Sequence, residues 1–277
     1  MIILFYLKQN INFHMTFSPV RFLLFVMVVL SFLHSKNIRI MSYNIHHGRG
    51  TDDKVDLGRI AKLINDWSPD LVALQEVDNA TSRSNFMNQT DTLASKTRMF
   101  SIFGKNIDVF GGEYGNAVLS RYPIIHSENR KLPRIGNSEQ RGLLAVWVQL
   151  KDKDDLTVFI STHFDHRKEN TERLKSVEKI KFWIDRGDFG NDLIIAGDLN
   201  DTPSSKIILT MNTFCDGANQ SDKYKTYPSE NPISQLDYIY TCKKGKYIID
   251  SYHVINSPVF SDHLPIISDI FYQSGKY

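Results

Sequence analysis

Acids, amides and imidazoles stand at the ends of apolar runs at five places in this chain. Leu193 to Ala196 passes through Gly197 into Asp198 and Asn200, Ile40 to Tyr43 ends at Asn44, and Leu71 to Leu74 ends at Gln75 and Glu76. Val158 to Thr162 ends at His163, and Ser261, Asp262 and His263 precede the closing apolar run. A buried strand needs no acid for its own stability, so a carboxylate at its end must find a metal, a donor or water. These types suit hydrolysis of a phosphate ester. Asn44, Glu76 and Asp262 are oxygen ligands of the kind Mg²⁺ or Mn²⁺ takes, with water and substrate phosphate filling the remaining positions. His263 is a candidate general base with its tautomer held by Asp237, and Asp198 would orient the attacking water. Asn200 and His163 would donate to phosphoryl oxygens.

The elements that must position these residues alternate between strand and helix. Ile38 to Tyr43 alternates as a half-buried strand, and His46 to Gly50 reads as a turn whose two histidines face solvent. Leu57, Ile60, Ala61, Ile64 and Trp67 share one helical face, with Asp56 at the first turn and Ser68-Pro69 as the stop. A second helix is expected to be capped at Thr90-Asp91, a third begins near Asn170, and a short fourth begins at Pro203. Strands are expected at Leu71 to Leu74, from Phe103 to Val109, at Ala117 to Leu119, Leu143 to Leu150, Leu156 to Ser161, Leu193 to Ala196, Leu236 to Tyr240 and Pro265 to Phe271. Residues 79–88 are polar and irregular, and Arg83 is the side chain there best suited to fork an anion. Residues 216–232 form a long polar loop of the kind that selects substrates.

The 277 residues, 42% hydrophobic, suit one sizeable domain. Phe22 to Leu33 is an unbroken apolar or small-residue run after Arg21, short for a membrane span and suited to a signal peptide. We therefore expect residues 1–35 to direct export, with an uncleaved anchor as the alternative, and residues 36–277 to form a single domain. Removing Lys8 and Arg21 with that segment leaves 31 basic residues against 31 acidic ones. That neutrality argues against a nonspecific polyphosphate binder. Cys215 and Cys242 have no metal spacing; an exported chain could pair them.

The motifs resemble, in type and order, the endonuclease/exonuclease/phosphatase superfamily of metal-dependent phosphoesterases. They are Ser42-Tyr43-Asn44, Leu74 to Val77, Gly115 to Arg121, Thr162-His163, Gly197 to Asn200, Leu236 to Tyr238 and Ser261 to Pro265, and they span the chain from Ile38 to Phe271. The resemblance implies an α/β fold, a four-layer α-β-β-α sandwich of two mixed sheets with helices outside. It assigns Asn44, Glu76 and Asp262 to the metal site, and His163, Asp198, Asn200, Asp237 and His263 to catalysis. Asn116 and Arg141 match positions near the phosphate, and Asp165 belongs to a Thr-His-x-Asp-His variant. The expected protein is a monomeric, exported phosphodiesterase without an obligate protein partner, acting on nucleic acid or a sphingomyelin-type phospholipid. A phosphomonoesterase on a sugar or inositol phosphate would instead use basic side chains around Arg83, Arg141 and residues 216–232. A catalytically inactive binding protein on the same scaffold would not need the complete His, Asp and Glu set.

Overall fold

The computed structural model describes residues 35–151, 155–217, 223–242 and 247–273. The apolar run from Phe22 to Leu33 lies outside them, and among the described residues no helix is long and apolar enough to cross a membrane. In chain order the elements are β1 (Ser35–Asn44), α1 (Leu57–Trp67), β2 (Leu71–Asn79), α2 (Gln89–Thr97), β3 (Phe100–Val109), β4 (Gly112–Ser120), β5 (Ile124–Lys131) and β6 (Gly142–Val148). There follow β7 (Thr157–His163), α3 (Thr171–Asp185), β8 (Leu193–Asp198), α4 (Lys206–Met211), β9 (Asp216–Gly217), β10 (Asp237–Cys242), β11 (Tyr247–Val254) and β12 (Ile266–Gln273).

Two mixed six-stranded sheets result, ordered β11-β12-β1-β2-β4-β3 and β5-β6-β7-β8-β10-β9. Alternation along each strand divides their side chains between two faces. Ile38, Ile40, Leu71, Ala73 and Val118 of the first sheet meet Leu144, Val146, Phe159, Ile194, Ala196 and Ile239 of the second in one buried layer. Met41, Tyr43, Val72 and Leu74 point the other way, onto Leu57, Ile60, Ile64 and Leu93 of α1 and α2. Leu143, Val158, Ile160 and Ile195 likewise pack on Val177, Ile180, Ile207 and Ile208 of α3 and α4. Helix, sheet, sheet, helix is thus the layer order.

The helix caps show how local chemistry sets the ends. Asp56 Oδ1 accepts from the amides of Gly58 at 2.8 Å and Arg59 at 3.4 Å, and α1 stops where Ser68 turns left-handed ahead of Pro69. Trp67, expected on the buried stripe, is instead exposed at the helix end. Asn88 rather than Thr90 caps α2, its Oδ1 accepting from the Asp91 amide at 3.0 Å, which leaves Thr90 buried inside the first turn. Ser205 caps α4, so that helix begins beyond Pro203. Neither β5 nor β11 is expected from the sequence pattern. Both are edge strands whose exposed positions interrupt the apolar signal.

Cys215 and Cys242 form a disulfide that ties the segment after α4 to the far end of β10. Closing a 27-residue separation restricts the unfolded chain by about 3.5 kcal/mol in the loop-entropy account. Replacing both buried cysteines by Ala is expected to cost that order of stability in urea unfolding under oxidising conditions, and most of the difference from wild type is expected to vanish once reductant is added.

Candidate active site

Strand register assembles the site. In β8, Asp198 is paired across the ladder with His163 of β7 on one side and Asp237 of β10 on the other. In the opposite sheet Asn44, last residue of β1, is level with Gln75 of β2. Asn44, His163, Asp198 and Asp237 share the alternation of Ile40, Phe159, Ala196 and Ile239, so they continue the inter-sheet layer to its rim as polar groups. Gln75 and Ser161 bridge the two sheets just behind them, Nε2 donating to Oγ at 3.2 Å. The register of β2 slips between Leu74 and Val77, where Glu76 has φ 56°. This bulge brings the Glu76 carboxylate to Asn44, whose Nδ2 donates to it at 3.0 Å and to Asp198 Oδ2 at 3.1 Å.

His263 reaches the same point from the loop before β12. Its Nδ1 is 2.9 Å from Asp237 Oδ2, and its Nε2 is 3.6 Å from Asp198 Oδ2. Ser261 anchors that loop, its Oγ donating to the Asn44 carbonyl at 2.7 Å. Burial by itself would lower the basicity of His263, but the Asp237 and Asp198 carboxylates outweigh it and raise the imidazole above its ordinary value. Burial also raises Asp198, against the pull of His263. One proton is therefore held firmly within the Asp198, Asp237 and His263 unit.

His163 has the opposite environment. Burial, and then the positive charge of Arg141, hold it well below the ordinary imidazole value, so it is neutral. Arg141 can only donate, and its Nη1 lies 3.1 Å from His163 Nδ1. Asn200 Nδ2, also a donor, faces the other ring nitrogen, and a neutral imidazole accepts at one nitrogen only; the charged Arg141 is the stronger donor, so Nδ1 accepts and the ring hydrogen lies on Nε2. Nε2 in turn is 3.0 Å from Asn200 Nδ2 and 3.5 Å from Asp198 Oδ2. Asn200 is set by a left-handed backbone, φ 50°, by its amide donating to Asp198 Oδ1 at 2.8 Å, and by Nδ2 donating to the Phe164 carbonyl at 3.0 Å. Two N–H donors, from His163 and Asn200, thus converge beside Asp198, a pairing that an anionic oxygen would satisfy.

Glu76 lies in a second group. With His46 and His47 it offers ligand atoms within 4.8 Å of one another, as do Asp198, Asp237 and His263 among themselves. Asp262 approaches this group through His46, with Oδ1 3.8 Å from Nδ1. The expectation that both histidines face solvent is wrong for His47, which is only 8% exposed. The apolar-run signal had no means of finding it. The carboxylates of Glu76 and Asp262 suit a hard divalent cation, Asn44 would add an oxygen only with its amide turned over, since its Nδ2 faces Glu76 here, and the buried Asp198, Asp237 and His263 cluster is itself consistent with a divalent metal site.

The remaining candidates are placed differently from a direct phosphate contact. Arg83 spends its fork on Asp78, at 2.8 and 2.7 Å, because that fully buried carboxylate needs a partner. Arg141 is buried, and its guanidinium is shared among His163, His166 at 3.0 Å and Glu139 at 2.9 Å. Asp165 is buried against Arg167, at 3.0 Å, and presents no donor. Asn116 Nδ2 donates to the Gly142 carbonyl at 3.0 Å, while its Oδ1 is buried without a partner.

The endonuclease/exonuclease/phosphatase family model matches residues 41–263, which takes in every residue of this constellation. The chain belongs to that family. Escherichia coli YbhP, an uncharacterised protein, is 25% identical over 84% of this chain and 96% of its own length. Among solved structures, the endonuclease/exonuclease/phosphatase from Beutenbergia cavernae superposes with a TM-score of 0.69 at 22% identity, over 86% of this chain and 72% of that one. A mannosyl-6-phosphatase from Bacteroides thetaiotaomicron gives 0.69 at 16%, over 84% and 99%. As a member of this family the protein is a phosphoesterase. If Arg141 fixes the tautomer of His163, imidazole ¹⁵N spectra of the wild type will show hydrogen on Nε2 alone. Arg141→Leu is expected to give a tautomer mixture together with a loss of activity of at least about tenfold.

Proposed function

We propose that this protein is an exported, Mg²⁺- or Mn²⁺-dependent phosphodiesterase in which His263 activates the attacking water, with nucleic acid or a sphingomyelin-type phospholipid as substrate. The observation that carries the mechanism is the contact of His263 Nδ1 with Asp237 at 2.9 Å, which turns Nε2 toward Asp198. In the reacting form Nε2 is the free base, Nδ1–H is held by Asp237, and Asp198 accepts the second hydrogen of the water, so the nucleophile is aimed as well as activated. His163 Nε2–H and Asn200 Nδ2–H receive the charge that grows on the phosphoryl oxygens. Glu76, Asn44 and Asp262 would hold the cation, which when bound neutralises charge on the phosphate and on the leaving oxygen.

Charge bookkeeping around the site favours a diester. A monoester brings a second negative charge near neutral pH and calls for free guanidinium or ammonium groups. Here Arg83, Arg141, Arg167 and Arg173 are all committed to carboxylates. Export is supported by the apolar run from Phe22 to Leu33 and is compatible with the Cys215–Cys242 disulfide.

The test is hydrolysis of bis-(p-nitrophenyl) phosphate, p-nitrophenyl phosphate, DNA, RNA, sphingomyelin and sugar and inositol phosphates with Mg²⁺, Mn²⁺ or EDTA. Cleavage of diesters that EDTA abolishes is expected, and turnover confined to monoesters would replace this reading with that of a sugar or inositol phosphatase. His263→Ala and Asp198→Ala are each expected to lower kcat/KM by at least about a hundredfold with the far-ultraviolet spectrum unchanged.

The pH profile follows from the same contacts. A base acts only when deprotonated, and its flanking carboxylates raise His263 above 6.5, so activity falls as pH drops through a limb lying above that value. Asp237→Asn removes the largest raising cause and is expected to shift the limb to lower pH while reducing kcat. An unmoved limb would show that another group titrates.

A further inference from the structure

We propose that His46 and His47 join Glu76 in a mixed nitrogen and oxygen ligand set, which makes the cation site select Mn²⁺ or another first-row transition ion over Mg²⁺. The inference rests on Glu76 being a metal residue and adds the class of ion. Each of the three residues offers a ligand atom within 4.8 Å of the other two. His47 is 8% exposed, and its Nδ1 is buried with no hydrogen-bond partner. A buried imidazole nitrogen left unpaired is unfavourable unless something binds it.

The backbone is shaped to place these rings. His46 and His47 have φ 45° and 44°, left-handed values that few residues other than glycine adopt, and Gly48 continues at 77°. Hydrogen bonds hold this conformation at both ends. The His46 amide donates to Asn44 Oδ1 at 3.1 Å, and the His47 carbonyl accepts from Gln89 Nε2 at 2.6 Å. A turn serving only to reverse the chain would put glycine or asparagine at these positions. The two rings meet edge to face with centroids 4.5 Å apart, and His46 also approaches Asp262.

The chemistry of the donors sets the preference. Mg²⁺ is a hard ion that holds oxygen ligands and water; imidazole suits Fe²⁺ and Zn²⁺ best, and Mn²⁺, although it also takes oxygen ligands, accepts imidazole more readily than Mg²⁺ does. Two imidazoles next to one carboxylate are therefore poorly used by Mg²⁺ and well used by Mn²⁺, Fe²⁺, Co²⁺ or Zn²⁺. Arg49 and Arg83, the cations near His47, are paired with Asp53 and Asp78, so their charge is offset locally.

Full-length protein stripped with EDTA and loaded with Mn²⁺ would be examined by pulsed electron paramagnetic resonance for ¹⁴N modulation. Competition with Mg²⁺ would give the ratio of affinities. The wild type is expected to show imidazole ¹⁴N coupling, which His46→Ala and His47→Ala each weaken and the double variant abolishes. The preference for Mn²⁺ is expected to fall at least about tenfold in the double variant. Saturable Mn²⁺ binding that Glu76→Gln abolishes, but without ¹⁴N coupling, would overturn the histidine ligation and leave the Glu76 site standing. Coupling that persists at full strength in both single variants would overturn it too, by placing the nitrogen elsewhere. Absence of any saturable Mn²⁺ binding would overturn the metal reading itself along with this one. Should the double variant fail to melt cooperatively, the wild-type spectrum and His46→Ala, a residue less buried than His47, still decide.

Discussion

A fully buried carboxylate holds this site together. Asp198 ends a strand whose every residue is buried, so its oxygens must be matched inside the protein or the fold bears the desolvation cost of an unpaired carboxylate. The matching comes from all sides: Asn44 across the sheet interface, the Asn200 amide from the following turn, and the imidazoles of His163 and His263. Each partner belongs to a different segment. Satisfying one acid therefore fixes the relative positions of both sheets and two loops.

Packing and chemistry use the same alternation. The layer that interdigitates Ile40, Phe159, Ala196 and Ile239 becomes polar only at its rim, where Asn44, His163, Asp198 and Asp237 replace apolar residues. A slip of one position in any of these strands would send its functional group into the helix-facing layer and an apolar group into the site. The bulge at Glu76 is the exception that the alternation requires. A regular strand would have left that side chain aimed away from Asn44.

Much of this was readable in the residues themselves. The central strands β1, β2, β7 and β8 are short apolar runs ending in polar groups, the antiparallel β10 begins with one, and those ends are where the site lies. β5 and β11 escaped because an edge strand exposes half its side chains, and its pattern merges with that of a loop. Turn composition suggested that His46 and His47 face solvent. It gave no indication of the tertiary contacts that bury His47. Arg83 was chemically plausible near a phosphate and Asp165 stood in a motif with no assigned role, yet the pairing of each depended on a partner, Asp78 or Arg167, whose spatial position no local spacing encodes.

The hydrogen bond from Ser261 to the Asn44 carbonyl spans 217 positions in the chain. It joins one of the first folded segments to one of the last, so the site has very high contact order. During synthesis the first sheet can collect β1 and β2 early, but Asp262 and His263 emerge after every other residue of the site. A nascent chain consequently lacks a complete constellation until that last loop has emerged, and truncation ahead of Asp262 removes His263 as surely as mutating it.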